Sequence, residues 1–284
     1  MENICCEYEV LEAGPFELAE SPVWDHEKKN LYWVNIPAGD IHRYSFLTNR
    51  HDFFNTGTMV GSVALNNEGR LIAAVKTGFV FIDMDERQIG VVRNIVSDPD
   101  LRFNDGKCDP AGRFWAGTMS MSGRSASGAL YCLHTDGTVE KKLSGIGCSN
   151  GLAWSRDNRI MYYIDTLKKC VTAFDYDIKT AAIGNEKVVV DFTNDSFLPD
   201  GMTIDRDGML WIALWGGAQV ARYDPGNGAC LGRIKLPATQ ITSCTFGGDN
   251  LDQLFVTSAA SGLEHYTDNK DGAVFKINHP GCFF

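Results

Sequence analysis

The sequence lacks the features that would direct it to a membrane or to nucleic acid. No stretch approaches the roughly 18 to 20 consecutive apolar residues of a membrane-spanning helix. The opening MENICCEYEV has neither the basic cluster nor the apolar core of a secretion signal. Positive charge is in deficit: 26 Lys and Arg stand against 36 Asp and Glu, a formal net charge of -10. Nucleic acid and anionic membrane are thereby excluded as main partners, because both require a basic face. The phosphate-cradling pattern G-x-x-x-x-G-K-[ST] is missing. None of the nine cysteines forms a C-x-x-C pair or clusters with histidine, which excludes a structural zinc site. The cysteine count is odd, so reduced thiols in a cytoplasmic protein are expected.

What is present is globular material: 44% hydrophobic and 22% charged residues, enough for a sizeable core. No linker or low-complexity stretch divides it, and residues 1–284 read as one domain, a monomer or weak homo-oligomer. A unit recurs six times, made of an Asp, Asn and Gly loop, an apolar β-rich run, a turn and a second β-rich run. Its anchors, the first apolar residue after each loop, are Leu31, Leu71, Phe114, Met161, Leu210 and Leu254, spaced 40 to 49 residues apart. The runs alternate or stay continuously apolar, with β-branched and aromatic residues, so they are strands rather than helical repeats. The expected fold is all-β, a six-bladed β-propeller. The early CEYEVLEA run is expected to close the ring beside the last blade.

The repeat also predicts a site. The innermost strand of each blade lines the axis, so equivalent residues converge there. Ten or eleven positions before the anchors stand Glu20, Gly61 or Val60, Asn104, Asn150, Asp200 and Ser243. Any one acid or amide is an ordinary turn cap. Four of six in register point elsewhere, because carboxylates converging on an axis repel unless a cation lies between them. Glu20, Asn150 and Asp200 offer oxygen donors only, which suits a hard divalent ion in an open site. The histidines His26, His42, His51, His134, His265 and His279 fall outside this register and are read as surface or packing residues. No nucleophile elbow is expected, since Ser62 and Ser243 lack a histidine in register to act as base. Cys148 and Cys244 lack a visible partner and are read as packing residues.

ESPVW at Glu20 to Trp24, RFNDGKCDPAGRFWAGTM at Arg102 to Met119, SNGLAWS at Ser149 to Ser155, YYIDT at Tyr162 to Thr166 and PDGMTID at Pro199 to Asp205 resemble the signatures of a known family. It is the family of regucalcin (senescence marker protein), the gluconolactonases and the insect luciferin-regenerating enzyme, and the resemblance runs nearly end to end. It implies a six-bladed propeller and a lactonase that opens a sugar lactone such as gluconolactone. It implies one divalent cation, Ca, Mg, Mn or Zn, held by Glu20, Asn150 and Asp200, and substrate contacts from Arg102 and Asn104, with Asp105 close by. Asp200 is the expected general base. Where regucalcin-like members carry two acidic residues after GTM, this chain has Ser120, Met121 and Ser122, and with Arg102 and Asn104 these polar residues lean towards a hydroxylated sugar. Two alternatives stay open: a phosphotriesterase-like esterase on the same metal site, and a non-enzymatic calcium-binding regulatory protein.

Overall fold

The structure, a computed structural model, describes residues 2–4, 6–263 and 270–278. It is all-β, and among the described residues its sole helical element is the single 3₁₀ turn Thr166–Lys168. Four sheets have four strands each, in antiparallel order along the chain. The first runs through Ala19–Asp25, Asn30–Asn35, Asp40–Ser45 and Arg50–Asn55. The others begin at Val60–Leu65, Leu101–Cys108 and Ser149–Trp154. A fifth, nine-stranded sheet contains two antiparallel runs, one starting at Leu198–Ile204 and one at Gln240–Gly247, linked by the single residue pair Trp215 and Gln240. Each anchor residue read from the repeat lies in the second strand of its run.

The first strands of these runs pack against one another in a cycle. Ala19–Asp25 meets Val60–Leu65, which meets Leu101–Cys108, and contact passes on through Ser149–Trp154, Leu198–Ile204 and Gln240–Gly247 back to Ala19–Asp25. The early run does what the pattern predicts: Tyr8–Glu12 pairs antiparallel with Val274–Asn278, so the first residues complete the last run. Second strands are buried on both faces, as in Leu210–Trp215, whereas the fourth strands are largely exposed, as in Arg50–Asn55 and Ala182–Asp191. The core lies between neighbouring sheets, with Trp33, Trp115 and Trp211 fully buried as expected of strand tryptophans.

Turns between first and second strands repeat one device. Asp109 Oδ1 accepts hydrogen bonds from Ala111 N and Arg113 N, and Asp205 Oδ1 from Asp207 N and Met209 N, each at 2.9 Å. Asp25, Asn66 and Ser155 cap their own turns in the same way. An aspartate fits here because its short side chain reaches backbone N–H groups two to four residues on.

Candidate metal centre and cavity

Every first strand carries a break in register, and the breaks are at equivalent places: between Glu20 and Val23, Val60 and Ser62, Phe103 and Gly106, Ser149 and Leu152, Pro199 and Met202, and Ile241 and Ser243. A bulge adds a residue on one strand and re-aims the side chains beside it. Glu20, Asn104, Asn150 and Asp200 all stand at these bulges. Glycine makes the approach possible, since a Cβ on Gly151 would come within 2.8 Å of the Asp200 carbonyl oxygen and one on Gly201 would overlap Ser243 Oγ. Ser21, the residue after Glu20, adopts a left-handed φ of 51° without being glycine, a strained backbone at the site. Its hydroxyl holds that conformation by donating to Val63 O and accepting from Val63 N, both at 3.1 Å.

The bulged residues open onto a cavity of about 290 Å³ lined by Glu20, Arg102, Asn104, Asn150 and Asp200 together with Ser120, Arg124 and several apolar side chains. Glu20, Asn104, Asn150 and Asp200 are buried. Burial pushes both the Glu20 and the Asp200 carboxyl well above the usual carboxylate range, and the nearby charges add to it, Asp200 and Asp105 for Glu20 and Asp105 for Asp200. Asn150 Nδ2 donates to Thr166 Oγ1 at 3.0 Å, while its Oδ1 is buried without a hydrogen-bond partner. A buried amide oxygen without a donor, beside two carboxyls raised by burial, is a set of groups whose chemistry suits a cation. Glu20, Asn150 and Asp200 therefore fit a divalent ion, and their all-oxygen chemistry fits Ca²⁺, Mg²⁺ or Mn²⁺ better than Zn²⁺. Among the described residues no group of three or more His, Cys, Asp or Glu is placed to hold a metal ion, so the fit rests on two carboxylates and one amide oxygen.

The substrate-contact candidates divide. Arg102 lines the cavity, and its Nη1 donates to Phe103 O at 2.9 Å and Asn104 Oδ1 at 2.7 Å. Asn104 Nδ2 in turn donates to Ser149 O at 2.8 Å. The Asn104 amide is thus committed to orienting Arg102. Asp105 is not among the lining residues; it is buried, accepts from Gly106 N at 2.7 Å, and acts on Glu20 and Asp200 through its charge. The register break between Phe103 and Gly106 falls on Asn104 and Asp105, and of the two only Asn104 lines the cavity.

Ser120 and Ser122 are also committed. Ser120 Oγ donates to Asp100 Oδ2 at 2.5 Å and accepts from Arg124 N at 2.9 Å, while Ser122 Oγ donates to the same carboxylate oxygen at 3.0 Å. Arg124 is tied to Asp100 and Asp98 at 2.7 and 2.6 Å. Trp215 is half-buried and lines the cavity. Lys107 reaches across to another run and donates from Nζ to Met202 O at 2.6 Å. Asp109 and Asp205 do form ion pairs, with Arg113 and Arg222, each at 2.6 Å.

One pattern counts against the expectation of no nucleophile elbow: Gly147 to Gly151 spell G-x-S-x-G. The letters are present and the geometry is not. Ser149 is fully buried, accepts a hydrogen bond from Tyr163 Oη at 2.9 Å, and leads along a strand rather than into a helix. The Cys148 thiol is pushed up to about 12, by burial first and then by Asp200, and so stays protonated. His42 stacks on Trp33 with ring centroids 5.2 Å apart, as a packing residue does, and His265 and His279 lie outside the described residues.

Residues 18–260 match the family described as the SMP-30/Gluconolactonase/LRE-like region. Regucalcin of Danio rerio is 42% identical over 270 residues, which are 93% of this chain and 92% of that one. Regucalcin of Homo sapiens is 40% identical over 271 residues, 92% and 91% of the two chains. Among solved structures, a luciferin-regenerating enzyme superposes with a TM-score of 0.90 at 32% identity, covering 96% of this chain and 95% of its own. A calcium-binding protein, regucalcin, from Agrobacterium tumefaciens superposes with a TM-score of 0.93 at 28% identity, covering 100% and 98%. The chain belongs to the SMP-30/Gluconolactonase/LRE-like family.

Proposed function

We propose that this protein is a divalent-cation-dependent lactonase built on a six-bladed propeller. The observation that carries the reading is the convergence of Glu20, Asn150 and Asp200 on one cavity, with the buried Asn150 Oδ1 unpartnered and both carboxyls pushed up by burial despite the Arg102 charge nearby. The six blades are supported by the cycle of six first strands, counting the nine-stranded sheet as two blades. That cycle has no break, which supports a single domain. The described cysteines are free thiols, in keeping with a cytoplasmic setting, and among the described residues no helix is long and apolar enough to cross a membrane.

A cation held by Glu20, Asn150 and Asp200 would supply Lewis acidity to the lactone carbonyl and make an adjacent water more acidic. The protein supplies the rest. Asp200 offers a carboxylate oxygen as the acceptor for the proton of the attacking water. The new C–O bond forms at the carbonyl carbon, the ring C–O bond breaks, and the proton ends on the departing alkoxide, giving a hydroxy acid. Arg102, fixed by Asn104, lines the cavity, where its remaining N–H donors would hold a ring or carbonyl oxygen.

The test is lactone hydrolysis followed by pH-stat, with native protein, chelator-treated protein and Asp200→Asn. Turnover in the first and its loss in the other two is expected. Tight cation binding with no turnover of any lactone would leave a calcium-binding regulatory protein and contradict the reading.

A further inference from the structure

The cavity wall differs in kind from its floor. Around Glu20, Asn150 and Asp200 stand Leu18, Met119, Cys148, Leu167, Leu198 and Trp215. Leu167 is 59% exposed, an unusual outlay of apolar surface at the edge of a cavity. Gly147 leaves room for it: a Cβ there would meet Leu167 at 2.9 Å.

Most of the polar groups that would bind a polyhydroxylated ring are already in use. The Ser120 and Ser122 hydroxyls donate to Asp100, and the Arg124 guanidinium is paired with Asp98 and Asp100. Thr166 Oγ1 donates to Pro199 O at 2.8 Å and accepts from Asn150. The Asn104 amide bonds Arg102 and Ser149. With Glu20, Asn150 and Asp200 assigned to the cation, the side-chain N–H donors left along the lining are those of the Arg102 guanidinium, Arg124 Nη1 and Trp215 Nε1, few for a ring that carries several hydroxyls. An aldonolactone brings several hydroxyls, and each one buried without a partner weakens binding. A site that discriminates for hydroxyls presents paired donors and acceptors to them, which this wall does not.

We propose that the preferred substrate is a lactone bearing an apolar alkyl or aryl substituent, its ester group on the polar floor and its substituent against Leu18, Met119, Leu167, Leu198 and Trp215. The proposal rests on the lactonase reading above and narrows its substrate class. The volume of about 290 Å³ suits a small lactone with a short chain, at the lower end of the roughly 300–1,000 Å³ range of small-molecule sites. Specificity arises because each methylene that leaves water for the wall adds binding, whereas each sugar hydroxyl would lose hydrogen bonds to water.

The experiment compares kcat/KM, each divided by the uncatalysed hydrolysis rate, for δ-valerolactone, δ-octanolactone, δ-decanolactone and glucono-δ-lactone on the cation-loaded enzyme. The expected result is a rise of about fourfold per methylene over the first few carbons, with glucono-δ-lactone below the whole alkyl series. Calorimetry with 2-pentylcyclopentanone, which cannot be hydrolysed, should show binding that the unsubstituted ketone lacks. Leu167→Asn and Leu198→Ser should each flatten the chain-length slope. A flat series with glucono-δ-lactone turned over fastest would overturn this proposal and leave the lactonase reading standing. Turnover of none of the four would overturn both. A slope unchanged by both substitutions would remove the wall from recognition and overturn it as well.

Discussion

The two ends of the innermost strands use the same residue types to opposite effect. At the end of Leu198–Ile204, Asp205 is saturated: two backbone N–H groups bond Oδ1, while Trp211 Nε1 at 2.9 Å and Arg222 Nε at 2.6 Å bond Oδ2. Asp109 is served equally well by Arg113, Trp115 and Tyr176. Near the start of the same strand, Asp200 meets only the Asn150 side chain and other carboxyls, with Arg102 at a distance. A buried carboxylate with its donors around it is a structural joint, and a buried carboxylate with few of them is chemically suited to a cation. Size does not distinguish the ends: the recess beside Asp205, Arg206 and Phe246 is larger, about 410 Å³, than the one at Asp200. Chemistry does.

The largest effect expected from breaking this contrast is on catalysis. Asp200→Asn should lower kcat/KM for a lactone by about 10²- to 10⁴-fold, the range of a lost general base, with the circular dichroism spectrum unchanged. Asp205→Asn should do the reverse, destabilising by about 1–3 kcal/mol in urea unfolding because Arg222 loses its buried ion pair and keeps the more exposed Asp207 carboxylate, while the folded fraction keeps its kcat/KM.

A third expectation concerns pH. In chelated protein the Glu20 and Asp200 carboxyls sit well above their unfolded range, so the folded state binds the extra protons. Stability is then greatest below the unfolded carboxylate range and falls as pH rises through the raised values. Urea midpoints measured from pH 4 to 8 should decline in chelator. Saturating Ca²⁺ should reverse the decline, adding about 2.7 kcal/mol at a hundredfold excess over Kd. The smallest effect is at Ser149. Ser149→Ala should cost about 1 kcal/mol through the lost Tyr163 hydrogen bond and leave turnover intact, whereas abolished turnover would revive a serine nucleophile.

Much of this was legible because the repeat repeats its chemistry as well as its hydrophobicity. The register that finds Leu31 to Leu254 also finds Glu20, Asn104, Asn150 and Asp200, since equivalent positions on innermost strands converge. The bulges were not legible: a one-residue shift leaves no mark on the apolar pattern except the glycines beside it, Gly106, Gly151 and Gly201. That is why Asp105, next to Asn104 in sequence and expected close to the substrate, is not among the residues that line the cavity. The polar look of Ser120 to Ser122 misleads for a different reason. Whether a hydroxyl faces a ligand depends on Asp100 and Arg124, which fold back from outside the repeat. The exposed fourth strands, such as Val139–Ile146 with its EKK, carry too weak an alternation to be seen.

The most direct test of the central claim is calorimetric titration of chelated protein with Ca²⁺, Mg²⁺ and Mn²⁺, comparing wild type with Glu20→Gln, Asn150→Ala and Asp200→Asn. The account predicts one ion per chain in the wild type, with affinity reduced in Asn150→Ala and abolished in both carboxylate variants. Wild-type stoichiometry and affinity retained in all three would contradict it.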